Sequence, residues 1–371
     1  MLRLVVLALV GIGVLCLLLT INPFSLPQEV VAGEGNPLPS YVHPRGYVCC
    51  RAERPITIDG LLDDPAWQAV PWTEPFVDIE GNSKPRPRFR TRAKMLWDDN
   101  YFYVAAELEE PHVWATLTEH DSVIFQDPDF EVFIDPDGDS HEYYEFEINA
   151  LNTGWDLFLT RPYKDGGVAI NSWEIPGLKT AVRVDGTLND PRDRDRGWTV
   201  EIAFPWKVLG EAAHRPAPPR DGDQWRINFS RVEWQIDTNT GKYCKVPGTK
   251  EANWVWSPQG VVDMHRPETW GYVQFSTAPS GQVAFRPDPA GPTRHLLHQV
   301  YYAQAKYRTA HGRWARNLDE LGLSTLTHSD LGGPLVLQAG ESTYEVSAKL
   351  KRESKEPQHW HIRNDARIGA D

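Results

Sequence analysis

From residue 49 to about residue 276, apolar side chains recur at every second position in short runs, and each run is closed by turn-forming residues. Residues 91–97 alternate small or apolar with polar positions. Asp98-Asp99-Asn100 supplies a turn and 101–108 runs back, which predicts a hairpin. Residues 130–134 and 143–149 predict a second hairpin around Asp135-Pro136-Asp137-Gly138-Asp139. Asn152-Thr153-Gly154 turns into a strand over 155–160. A strand over 197–204 is stopped by Pro205 and followed by one helical turn at 206–209. Strands over 224–233 and 270–275 complete the set. Near the start, ITIDGLLDDPAW (56–67) reads as a short strand, a turn at Asp59-Gly60 and a one-turn segment that plants Trp67. Many short strands with no long helical period predict a mainly β protein, a β-sandwich of immunoglobulin or jelly-roll type.

The pattern changes beyond residue 277. Residues 278–293 (APSGQVAFRPDPAGPT) read as a Pro-rich linker. After it, Leu296, Val300, Ala303 and Tyr307 fall at helical spacing, a second short helix is expected over 314–323, and short strands over 335–338, 344–350 and 359–363. Residues 294–371 are therefore expected to form a small α+β domain whose role the pattern does not disclose. At the other end, Arg3 precedes an apolar run over 4–21, and Val30-Val31-Ala32 before Gly33 has the small residues of a cleavage site. Residues 1–32 are expected to be a signal peptide or an N-terminal anchor, and 33–48 an irregular leader. Leu15 before Cys16 is too large for a lipoprotein signal. The chain is thus expected to be exported, to the periplasm, the cell surface or the medium. It would touch a membrane only through an uncleaved N-terminal segment.

Charge and composition sharpen this picture. The 371 residues carry a formal net charge of -13. Residues from 285 onward hold 12 basic and 10 acidic residues, net +2, so the acidity belongs to the strand-rich part. An acidic surface repels nucleic acid and suits a neutral partner or a cation. Thirteen of the 15 tryptophans lie between 33 and 284, where they pack a core or form a platform for sugar rings. Export permits a disulfide joining Cys49 or Cys50 to Cys244, or three free thiols; their spacing does not suggest zinc.

Six stretches, in order, resemble family 9 carbohydrate-binding modules: ITIDGLLDDPAW, MLWDDNYFYVAAEL, DFEVFIDPDGDSHEYYEFEIN, GWTVEIAFPW, INFSRVEW, and NWVWSP followed by ETWGYVQF. The resemblance spans residues 49–277 and implies a β-sandwich that binds an oligo- or polysaccharide, commonly in the service of polysaccharide breakdown. In that family two tryptophans sandwich a terminal sugar. By their sequence contexts Trp97 and Trp256 are the expected pair, with Arg231 and Asn253 as polar contacts to the hydroxyls. Asp135, Asp137 and Asp139 around Gly138 read either as a calcium loop or as an acidic turn. The resemblance implies structural calcium and adds weight to the former, while the acidic turn remains the leading reading.

Two other function classes stay open. Glu145 and Glu147 share a strand face, so a glycoside hydrolase using paired carboxylates is one. A structural envelope or surface-assembly protein, making its contact through 294–371, is the other. His120, His141 and His265 are scattered without ligand spacing, and no phosphate loop or nucleophile elbow is present.

Overall fold

The computed structural model describes residues 41–239, 241–351 and 359–371. The expected signal peptide or anchor, 1–32, lies outside the described residues. Among those residues no helix is long and apolar enough to cross a membrane.

Eleven strands of four or more residues build the larger unit: β1 (Gly46–Arg51), β2 (Thr91–Trp97), β3 (Tyr101–Glu109), β4 (Asp129–Asp135), β5 (Tyr143–Asn149), β6 (Gly154–Leu159), β7 (Lys179–Asp185), β8 (Gly197–Pro205), β9 (Gln224–Glu233), β10 (Ala252–Val255) and β11 (Gly271–Ser276). One curled hydrogen-bonded path runs β6-β5-β4-β9-β11-β1-β2-β3-β8-β7, with β10 pairing β9 near its end. Strand β1 is parallel to both its neighbours, and only two residue pairs, Cys50–Leu96 and Arg51–Trp97, join it to β2. The path therefore folds at that seam into two leaves that face each other, the two layers of a β-sandwich.

Strand parity decides what fills the space between them. Phe130, Val132 and Ile134 of β4, Tyr144, Phe146 and Ile148 of β5, and Trp225, Ile227 and Phe229 of β9 point inward. They meet Phe102, Val104 and Ala106 of β3 and Val200, Ile202 and Phe204 of β8. The intervening residues of β4, β5 and β9 point outward, and the chain covers them too.

The 56–67 stretch is a clasp on the outside of the second leaf. Glu201 of β8 accepts hydrogen bonds from Asp59 N–H (3.0 Å), Gly60 N–H (2.7 Å) and the Trp67 indole (2.7 Å). Gly60 has φ +82°, and a Cβ there would press the β7 backbone at 3.0 Å. The Trp67 ring is fully buried against Leu96, Tyr103 and Ala203.

The smaller unit has its own core. Helix α1 (Gly291–His311) begins earlier than its apolar spacing predicts because Pro292 suits the first helical turn. Its Leu297, Val300 and Tyr301 pack on a four-stranded antiparallel sheet, β12 (Val336–Ala339), β13 (Tyr344–Lys349), β14 (His359–Arg363) and β15 (Ile368–Ala370). The helix expected over 314–323 is absent. The side-chain amide of Gln304 binds both N–H and C=O of Ala315, each at 2.9 Å, and holds that backbone in turns instead. The stretch 278–293 is not a loose tether: Arg286 N–H donates to the Gln274 side chain at 2.9 Å, and Phe285 lies against Gly46. No disulfide joins Cys49, Cys50 and Cys244: Cys49 and Cys50 are buried in β1 while Cys244 is exposed, so of the two readings left open by the sequence the disulfide is not formed.

Candidate functional site

The expected tryptophan clamp does not exist. Trp97 points inward from β2, 3% exposed, with its indole donating to Ser276 C=O at 3.2 Å. Its ring meets Trp206 and Phe275 edge-on. Trp256 is 1% exposed against Phe229, and a Cβ on Gly271 would strike its ring at 2.5 Å. Both rings belong to one core, so neither face is open to a sugar. The turn beside Trp97 is polar, but strand parity turns the indole inward. Arg231 is 1% exposed and committed to Glu110 (2.6 Å) and Glu233 (2.8 Å). Half-buried Asn253 lies in β10, where its C=O accepts Ile79 N–H at 3.0 Å.

The Asp135, Asp137 and Asp139 carboxylates do gather, with oxygens within 4.8 Å of one another. Burial, followed by the neighbouring aspartates, pushes Asp135 and Asp137 up. Most of their partners are the turn's own backbone: Asp135 accepts from Gly138 N–H (2.8 Å) and Ser140 N–H (3.0 Å), and Asp139 accepts from His141 N–H (2.8 Å) and also from Arg367 (2.6 Å). Arg367 comes from the smaller unit. Ile368 N–H donates to Asp139 C=O, and a His141 ring nitrogen binds Asp365 C=O at 2.8 Å, so this turn is where the two units dock.

Next to that docking point lies a cavity of about 610 Å³, between the outer face of β9 and β11 and helix α1. Arg226 enters it from β9, 3% exposed. Its Nε donates to Pro267 C=O (3.2 Å) and its Nη2 to Glu268 C=O, and the guanidinium lies over the Tyr272 ring, 4.0 Å from its centre. Its Nη1 has no hydrogen-bond partner in the protein. No carboxylate among the described residues forms an ion pair with it. His298 of α1 is held down to about 4 by burial and is neutral at pH 7. Its Nδ1 lies 2.9 Å from Arg294 C=O and must carry the proton, so the unpartnered Nε2 is an acceptor. The Tyr41 hydroxyl is also unpartnered. Glu268, despite its burial, is held down to about 2 by the nearby Lys164 and accepts the Tyr302 hydroxyl.

The cavity thus combines a cationic donor, a neutral acceptor and a hydroxyl with tyrosine and histidine walls. That chemistry suits a ring with an apolar face and a hydroxyl rim. Sequence reasoning missed Arg226 and His298. The one available signal was Arg226 itself, a base on the outward parity of a strand buried on both faces.

A β-sandwich with a polar, aromatic-walled cavity defines a ligand-binding module. Residues 58–240 match the family described as "Carbohydrate family 9 binding domain-like", and this part of the chain belongs to it. The exoglucanase XynX of Acetivibrio thermocellus is 27% identical over 152 residues, 41% of this chain and 12% of the enzyme. Endo-1,4-beta-xylanase A of Thermotoga maritima is 27% identical over 158 residues, again 41% and 12%. The chain therefore spans about an eighth of the length of the curated relatives it matches. Among solved structures, a putative carbohydrate-binding protein from Bacteroides uniformis aligns over 63% of this chain and 100% of its own, with 16% identity and TM-score 0.47. A family 9 module from Caldicellulosiruptor kristjanssonii in complex with cellotriose aligns over 66% and 100%, with 16% identity and TM-score 0.40.

Proposed function

We propose that this chain is a non-catalytic carbohydrate-binding protein, exported and serving polysaccharide breakdown, and that its saccharide sits in the cavity between β9, β11 and α1. One observation carries the placement. Arg226 Nη1, His298 Nε2 and the Tyr41 hydroxyl are three polar groups without protein partners, and their residues line one aromatic-walled cavity. Buried polar groups are ordinarily satisfied, so a ligand bearing both donors and acceptors is the natural complement. The curated relatives are named as a glucanase and xylanases, which makes cello- and xylo-oligosaccharides the first probes. Titration calorimetry of the chain with cellotriose and xylotriose is expected to show binding, weakened at least tenfold by R226M. Binding that R226M leaves unchanged would remove the cavity from the proposal, and no binding to any saccharide would end it. The same reading places a structural calcium at Asp135, Asp137 and Asp139, where it would compete with Arg367 for Asp139. Calcium uptake that D137N does not alter would rule that out.

A further inference from the structure

The cavity between β9, β11 and α1 holds one charge that the protein leaves unbalanced. Its lining carries four arginines, Arg45, Arg226, Arg266 and Arg294, and two glutamates, Glu80 and Glu268, a formal +2 in a chain whose total is -13. Five of these six have a partner of opposite charge. Arg45 pairs with Glu74 (3.3 Å), Arg266 with Asp263 (3.3 Å) and Arg294 with Asp288 (3.8 Å). Glu80 pairs with Lys84 (2.8 Å), and Glu268, despite its burial, is kept ionised by the nearby Lys164. Arg226 is the remainder. Asp288 and Asp135 act on it from beyond ion-pair distance and already have donors: the Tyr272 hydroxyl (3.0 Å) and Ala290 N–H (2.9 Å) for Asp288, Gly138 N–H and Ser140 N–H for Asp135.

Burial lowers the Arg226 guanidinium, but from so high a value that it stays charged, and a buried charge without a counter-charge is costly. Geometry shows what would complement it. A guanidinium offers five N–H groups. Two are spent here, Nε on Pro267 C=O (3.2 Å) and one Nη2 hydrogen on Glu268 C=O, and both acceptors are backbone carbonyls that bring no charge. The two hydrogens of Nη1 and the second of Nη2 remain, and together they form the fork that takes both oxygens of a carboxylate. A sugar hydroxyl would fill the hydrogen bonds and leave the charge; a carboxylate meets both. The Tyr272 ring against the guanidinium, the acceptor His298 Nε2 and the unpartnered Tyr41 hydroxyl suit a hydroxylated ring as the carrier of that carboxylate.

We infer that the saccharide taken by this cavity is an acidic one, with the carboxylate of a uronic-acid residue on the Arg226 fork and its ring hydroxyls toward His298 Nε2 and the Tyr41 hydroxyl. The inference rests on the placement of the saccharide in the cavity and names the class of sugar selected there. A chain of net charge -13 repels anions at long range, so a preference for an acidic sugar has to arise at this guanidinium.

The test is titration calorimetry of the full chain with D-glucuronate, its neutral isostere D-glucuronamide, D-glucose and acetate. Glucuronate is expected to bind at least about tenfold more tightly than glucuronamide or glucose, because a charge-assisted pair replaces neutral hydrogen bonds, and acetate far more weakly than glucuronate. R226M is expected to erase the preference, and R226K, which keeps the charge without the fork, to retain only part of it. The parent's own ranking of the four ligands needs no variant, so it decides should R226M fail to fold. Glucuronamide or glucose bound as tightly as glucuronate overturns the inference and leaves the saccharide reading standing. A preference that survives R226M overturns it as well, and so does acetate bound as tightly as glucuronate, since the sugar ring then adds nothing. Failure of every saccharide to bind, acidic or neutral, ends both readings.

Discussion

On the inward face of β9, Arg231 reaches Glu110 at 2.6 Å and Glu233 at 2.8 Å. On its outward face, one residue earlier, Ser230 looks onto four carboxylates, Asp129, Glu131, Glu145 and Glu147, that no base pairs. Both groups are buried, and both gather acids of widely separated sequence positions. Inside, one guanidinium serves two glutamates, and burial together with Glu233 pushes Glu110 up to about 9. One proton and one base then neutralise the pair. Outside, the chain supplies no base. Burial alone therefore does not say how an acid is neutralised; the inventory of donors around it does.

Breaking the inward group has the largest expected effect. R231A leaves Glu110 and Glu233 buried without their counter-charge, which costs about 3–5 kcal/mol. Urea denaturation at pH 7 reads this, and a loss below about 1 kcal/mol would mean that the glutamates carry both protons already. E131Q/E147Q on the outer face, where no counter-charge is removed, should cost far less, so the two variants separate the two kinds of buried acid in one assay.

The second effect is a pH dependence to which the outer group contributes. Glu131 has its folded value raised from about 4.5 to about 7, so the folded state holds the proton that the unfolded chain has released. Stability of the calcium-free protein is then full below about pH 4.5 and declines as pH rises to 7 and beyond. Glu131 alone contributes on the order of 3 kcal/mol to this decline, at 1.36 kcal/mol per pH unit. Thermal unfolding of the parent and of E131Q between pH 5 and 8 checks this. The parent should lose more stability across that window than E131Q, and equal profiles would contradict the raised value of Glu131.

A smaller effect tests the clasp. E201A leaves Asp59 N–H, Gly60 N–H and the Trp67 indole without their acceptor, at about 2 kcal/mol. E201Q, which keeps one acceptor oxygen, should lose about half as much in the same denaturation experiment.

These comparisons also mark what was legible in the sequence. Alternation located both hairpins, the 224–233 strand and the 206–209 turn, because period two survives wherever one face is buried. It failed at β7, a seven-residue strand with no fully buried position, and at β10, which has only four residues. It failed again at 314–323, where a distant glutamine side chain overrides helical spacing. The six stretches that resemble family 9 modules located the sandwich. They also pointed to Trp97 and Trp256, which keep a familiar local wording while their side chains turn inward. The outer carboxylates were visible as residues, yet nothing local shows that Ser230 and Phe125 close over them.

The smallest expected effect bears on the third acidic group, the Asp135 turn. Arg367 contributes its guanidinium to Asp139 from a side chain 38% exposed, so solvent screens the pair. R367A should cost less than about 1 kcal/mol, and the units should stay docked through His141, Arg294 and the Ile368 N–H. The useful readout is calcium affinity at that turn. If the guanidinium stands where a cation would otherwise sit, removing it should strengthen calcium binding there. A turn that gains no calcium affinity in R367A is held by its own backbone donors.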